Sequence, residues 1–206
     1  MFRRRRRKGF AGWKNLRHLG LDHWGWKGRG DSKDLVGPGL AHLAACPNLE
    51  SIRLGGCKID DNAAPALAKI KTLQRLDLFH AKGITDAGLP ALAALPNLRY
   101  LRLAPQFTPR ITDAGLEHLA KFPALEELEI GETVLTYENG LSHLKGLATL
   151  RKLKLDKVVI AEEDLARAKA ELLTAVIEWT PPDKAAAERA RAAFDRARTK
   201  AAKKGR

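Results

Sequence analysis

The hexapeptide ITDAGL stands twice in this chain, at 84–89 and again at 111–116. Its surroundings return with it. ITDAGLPALAALPNLRYLRL at 84–103 is answered by ITDAGLEHLAKFPALEELEI at 111–130. A unit that comes back at near-constant spacing makes the chain an array of like modules, and this restricts the fold more than any other property of the sequence.

Two periods alternate within the unit. Leu-x-x-Leu-x-Leu patterns fall at Leu16/Leu19/Leu21, Leu49/Ile52/Leu54, Leu73/Leu76/Leu78, Leu98/Leu101/Leu103, Leu125/Leu128/Ile130 and Leu150/Leu153/Leu155, with first members 33, 24, 25, 27 and 25 residues apart. The last two members of each pattern are separated by two, the strand period, so both point to one side of a sheet. Between patterns, Leu89, Leu92 and Leu95 recur every three residues and form a helical apolar stripe. Thr85, Thr112 and Thr136 stand where an N-cap hydroxyl is wanted, with Asp86, Asp113 and Glu138 in the first turn. Pro47, Pro96 and Pro123 end the helical stretches. One strand and one helix per ~25 residues cannot bury their own apolar faces, so the units must stack.

Leu-x-x-Leu-x-Leu followed by ITDAGL resembles the leucine-rich repeat in its cysteine-containing subtype, over about residues 13–180. Cys57 keeps the cysteine of that subtype, and Trp24, Ala81, Gln106, Thr133 and Val158 stand at the equivalent places. The resemblance implies an α/β fold: a right-handed solenoid with a parallel sheet on its concave face and helices on its convex side. It also implies a surface that usually binds protein partners, and no common chemistry or cofactor.

Three segments are expected: a basic lead at 1–12, the repeat domain at 13–182 with an altered last unit as cap, and a basic Ala/Arg/Lys-rich helical tail at 183–206. The tail, with Phe194 as its one large apolar residue, is expected to be a partly formed helix docked weakly if at all. The net charge of +13 sits at the ends. Residues 1–30 carry a surplus of nine positive charges and 183–206 a surplus of six, while 31–182 sum to −2. The terminal runs, Arg3, Arg4, Arg5, Arg6, Arg7 and Lys8 at one end and Arg196, Arg198, Lys200, Lys203, Lys204 and Arg206 at the other, read either as solubilising charge or as contacts for nucleic acid or an anionic membrane surface. No apolar window reaches the ~18 residues of a membrane span. The apolar run after Lys8 is shorter than a secretory signal needs, so a cytoplasmic location is expected.

Candidate contact residues come from two places. Gly20, Arg53, Asp77, Arg102, Glu129 and Lys154 occupy the position between the last two leucines, facing the concave side, and from Arg53 onward their signs alternate. Strands ~4.8 Å apart let such a column neutralise itself, or it serves as a charged binding row. Aromatics gather where the chain leaves the strands: Trp24 and Trp26 in WGWKGRG, Phe79 after Leu78, and Phe107 in PQFTPR, with Tyr100 on the adjoining strand. They read as partner anchors, or, for the tryptophans, as a cover for the first repeat. His42, His118 and His143 recur with the scaffold and read as repeat surface. Cys46 replaces the leucine of AALPNL and reads as a buried small hydrophobe. No zinc spacing, phosphate-cradling loop or nucleophile motif is present, so the expected function is a non-enzymatic protein-binding scaffold without metal or cofactor.

Overall fold

The computed structural model describes residues 13–21, 37–57, 59–81 and 83–204. Seven strands lie in one parallel sheet in strict chain order: β1 (His18–Gly20), β2 (Ser51–Arg53), β3 (Arg75–Phe79), β4 (Tyr100–Ala104), β5 (Glu127–Gly131), β6 (Lys152–Asp156) and β7 (Val176–Thr180). Each repeat therefore pairs with the one before it and the one after it. The register places Leu76, Leu101, Leu128 and Leu153 side by side, and Leu78, Leu103, Ile130 and Leu155 beside them. These two rows are enclosed, with Leu101, Leu128 and Leu153 at 0% exposure, because the strand period sends both leucines of every unit under the sheet. Seven strands exceed the six regular patterns: β7, in VIEWT, is the degraded strand of the altered last unit.

Helical segments cover the other side of the core, and they are shorter than the sequence pattern suggests. The α1 (Ala64–Leu67) and α2 (Leu89–Leu92) helices are single turns preceded by 3₁₀ turns at Asp61–Ala63 and Asp86–Gly88, while α3 (Asp113–Leu119) and α4 (Glu162–Glu171) are longer. Wholly 3₁₀ stretches at Gly37–Ala45 and Leu141–Gly146 complete the layer. Strands repeat every ~4.8 Å but α-helices pack ~8–10 Å apart. Short segments wound as slimmer 3₁₀ helix ease that mismatch.

ITDAGL has a structural reason at three of its positions. Thr85 Oγ1 and Thr112 Oγ1 accept hydrogen bonds from the backbone N–H of Ala87 and Ala114, the expected caps. The same threonines also bind the preceding repeat: Thr85 N and Oγ1 donate to the two carboxylate oxygens of Asp61 at 2.8 and 2.6 Å, and Thr112 N and Oγ1 donate to Asp86 at 2.9 and 2.6 Å. Thr136 continues the ladder onto Asp113, both distances being 2.8 Å. The aspartates read from the sequence as first-turn charges are thus inter-repeat struts. Glycine follows from them, because a Cβ on Gly115 would lie 2.1 Å from Asp86 Oδ1 and one on Gly140 would lie 2.1 Å from Asp113 Oδ1.

The subtype's cysteine position is filled in three ways. Cys57 Sγ donates to Leu21 O at 3.3 Å, and Thr133 Oγ1 makes the matching bond to Ile111 O at 2.7 Å. Ala81 and Val158 fill the place as buried apolar groups. Gln106 does not occupy it. The longer loop after β4 swings this side chain outward to the strand ends. Cys46 is buried as expected, and burial pushes its thiol pKa up.

The tail is helical over more of its length than the partly formed helix expected. It is a continuous helix, α5 (Lys184–Lys204), begun after Pro181-Pro182 with Asp183 Oδ1 accepting from Ala186 N at 2.8 Å. Its contact with the solenoid is narrow: Ala186 and Ala190 are buried at 5% and 0% exposure. Phe194 faces Val134, Val159 and Ile160 across a cleft of about 810 Å³. Alanines let a helix approach closely without large side chains, so the contact carries no signature of large apolar residues. No helix among the described residues is long and apolar enough to cross a membrane.

Candidate functional site

The parallel strands present two connected groups of side chains, one on the concave face and one at the strand C-terminal ends. Register puts Arg53 beside Asp77, Asp77 beside Arg102, Arg102 beside Glu129, and Glu129 beside Lys154. Arg102 Nε lies 2.9 Å from Glu129 Oε1 and Lys154 Nζ lies 3.2 Å from the same oxygen. Asp77 Oδ2 is shared more loosely by Arg53 and Arg102, at 3.7 and 3.8 Å. The alternating column forms a chain of ion pairs, with Arg53 its exposed end and Glu129 its buried centre.

Tyr100 lies on this face with its hydroxyl donating to Glu129 Oε2 at 3.3 Å and its ring 4.0 Å beneath the Arg75 guanidinium. Burial, helped by the Glu129 and Asp77 carboxylates, raises the phenol pKa well above its ordinary value, so it stays a donor. Phe79 has the Arg102 guanidinium 4.0 Å from its ring centroid and the imidazole of His80 stacked on it at 3.8 Å. Phe107 is half-buried in the loop beyond β4. Trp24, Trp26 and the basic run Arg3–Lys8 lie outside the described residues.

A network not selected from the sequence lies at the strand ends. His80 Nε2 donates to Glu132 Oε2 at 2.6 Å, and Gln106 Nε2 donates to His80 Nδ1 at 2.9 Å. Lys157 Nζ approaches the other Glu132 oxygen at 3.8 Å. His80 and Glu132 are each 6% exposed. Burial lowers the imidazole pKa and outweighs the upward pull of Glu132, while Arg102 and Lys157 reinforce the lowering. Neutral His80 is also the form that can accept at Nδ1 while donating at Nε2.

His80, Gln106, Phe107, Glu132 and Lys157 all have left-handed backbones, with φ between 53° and 58°. Non-glycine residues there cost ~1–2 kcal/mol each. Gly56 makes the same turn after β2 without that cost. The signal that would have found the network is positional: Gly56, His80, Glu132 and Lys157 each stand two residues beyond the last apolar member of a repeat pattern.

A consequence is an acid sensitivity. Since the folded pKa of His80 lies below its unfolded value of 6.5, stability is fully present above 6.5 and falls as pH drops through that value toward the folded pKa. Chemical unfolding between pH 7.5 and 5 should show a smaller acid-side loss for His80→Gln than for the parent chain. Equal losses would mean the imidazole is not held neutral.

The convex histidines are separate from this site: His42 and His143 are exposed and His118 is half-buried. Among the described residues no group of three or more His, Cys, Asp or Glu side chains is placed to hold a metal ion.

A stacked parallel sheet, one short helical segment per unit and polar ladders between units define a repeat solenoid. The family model for the leucine-rich repeat matches residues 45–68 and 69–93. Residues 45–93 of the chain are leucine-rich repeats. The chain is similar in fold to internalin C2 from Listeria monocytogenes, at 23% identity and a TM-score of 0.51, over 68% of this chain and 55% of that one. It is similar also to the chain in a TLR13–ssRNA13 complex, at 22% identity and a TM-score of 0.51, over 68% of this chain and 20% of that one. It thus spans about half the length of the first and a fifth of the second. No curated protein sequence matches it.

Proposed function

We propose that this chain is a non-enzymatic protein-interaction scaffold that meets its partner with the concave charge column and the strand C-terminal rim. The observation that supports this reading is the run of non-glycine left-handed residues at the rim, held by the enclosed His80–Glu132 pair beside Phe79 and Arg102. Strain of this kind concentrates where side-chain placement matters more than backbone ease. The His80–Glu132 pair is enclosed, so it organises the rim and does not face a reactant.

Exposed Arg53 and the half-buried Phe107 in the loop beyond β4 would make the contact, while Tyr100, Phe79 and Arg102, engaged with their neighbours, fix the surface around them. Affinity capture with the full chain and with an Arg53→Ala/Phe107→Ala double variant tests this. The variant should lose at least ten-fold of the bound partner while its melting temperature changes by only a few degrees. Undiminished capture would remove this face from the interaction.

A further inference from the structure

We propose that α5 is a duplex-DNA-binding helix, held by its alanine stripe so that two rows of cations straddle the major groove. The helix carries eight Lys/Arg against two Asp/Glu. At ~100° per residue, Lys184, Arg191 and Arg198 form one row at seven-residue intervals, and Arg189, Arg196 and Lys203 form a second. The buried Ala186 and Ala190 lie midway between the rows on the docked side, each row ~110° from them. The rows therefore run along both flanks, ~21 Å long, on a helix ~10–12 Å across, with Arg191 and Arg198 of the first row at the edge of the cleft that Phe194 also lines.

All six of these side chains are exposed, and among the described residues none has an ion pair. The solenoid behaves differently. Arg17 pairs with Glu50, Arg99 with Glu126, Lys121 with Glu117 and Arg167 with Glu138. The body spends its charge internally and α5 does not. Eight cations against two carboxylates leave a net surplus of positive charge on one helix, whose self-repulsion an external polyanion would relieve.

The pattern selects among polyanions. Paired rows either side of a helix match the two phosphate rows bordering the ~12 Å major groove of B-form DNA. The narrow, deep major groove of A-form RNA does not admit a helix. A single strand offers one phosphate row and needs aromatic platforms, whereas the crest between the rows holds Glu188, Ala192, Asp195 and Thr199. That crest lacks the apolar face an interfacial membrane helix inserts.

The test uses the full chain and two triple variants, Lys184→Gln/Arg191→Gln/Arg198→Gln and Arg189→Gln/Arg196→Gln/Lys203→Gln. Glutamine keeps helix propensity, and circular dichroism and melting confirm that the fold survives. Binding to a random-sequence 20-base-pair DNA duplex is measured by fluorescence anisotropy from 50 to 200 mM salt. Each variant should lower the slope of log K against log salt by about three, as expected for three lost phosphate contacts. A Lys121→Gln/Arg167→Gln control should leave it unchanged. Unchanged slopes in both row variants would overturn the proposal, including the case where residues 3–8 carry the binding. Row-dependent binding to phosphatidylserine vesicles or double-stranded RNA, with none to DNA, would also overturn it.

Discussion

Leu101→Ala is expected to destabilise the protein by ~2–5 kcal/mol. Leu101 is at 0% exposure on β4, the middle strand of the sheet, in register with Leu76 on one side and Leu128 on the other. A cavity there faces packed neighbours on both sides, so neither can collapse into it freely. In a linear array it also weakens the coupling between the first and last units. Urea unfolding should therefore show a lower midpoint and a broader transition. His118→Ala, a half-buried convex change, should stay within ~0.5 kcal/mol of the parent. The reverse ranking would show that the repeat register is wrong.

Gly115→Ala should be destabilising although alanine is the better helix former by ~1 kcal/mol. The added Cβ would stand 2.1 Å from Asp86 Oδ1 and 3.1 Å from Leu89 Cδ1, so the carboxylate must leave its two bonds to Thr112. Hydrogen bonds to a charged group contribute ~1.5–3 kcal/mol each, so a net loss of ~2–4 kcal/mol is expected. Asp86→Ala alone should cost a similar amount, since it strands Thr112 N–H and hydroxyl. Combining the two should not double the loss: with the carboxylate gone, the Cβ has room. A double-mutant cycle measured by urea unfolding should return a coupling of ~2 kcal/mol or more. Costs that add to within ~0.5 kcal/mol would mean that glycine is required for another reason.

That ladder shows how much of the fold was legible. Threonine capping at 85 and 112 could be read from the residues, because a cap is a contact between near neighbours in sequence. The second bond of each threonine, to an aspartate in the previous repeat, spans 24 residues from Asp61 to Thr85 and 26 from Asp86 to Thr112. No local pattern carries it. The glycine looked like a helix blemish until the carboxylate beside it was placed. The concave column was legible residue by residue, since its period of two and the strand register are direct consequences of the leucine spacing. The rim network was not. His80, Gln106 and Glu132 meet only because the chain turns through left-handed conformations at the strand ends, and Gln106 lies in a loop longer than its neighbours.

The sequence by itself determined the array: its period, its strand and helix alternation, the residues enclosed in its core, and the segregation of positive charge to its ends. Those follow from short-range periodicity and composition, which hydrophobic burial reads directly. The tertiary structure decided the rest. It wound the convex segments partly into 3₁₀ turns because stacked strands leave too little room for full helices. It brought His80 against Glu132, 52 residues away, inside the rim. It also turned an alanine-rich basic tail into a helix that buries Ala186 and Ala190, with Val134, Val159 and Phe194 lining one cleft.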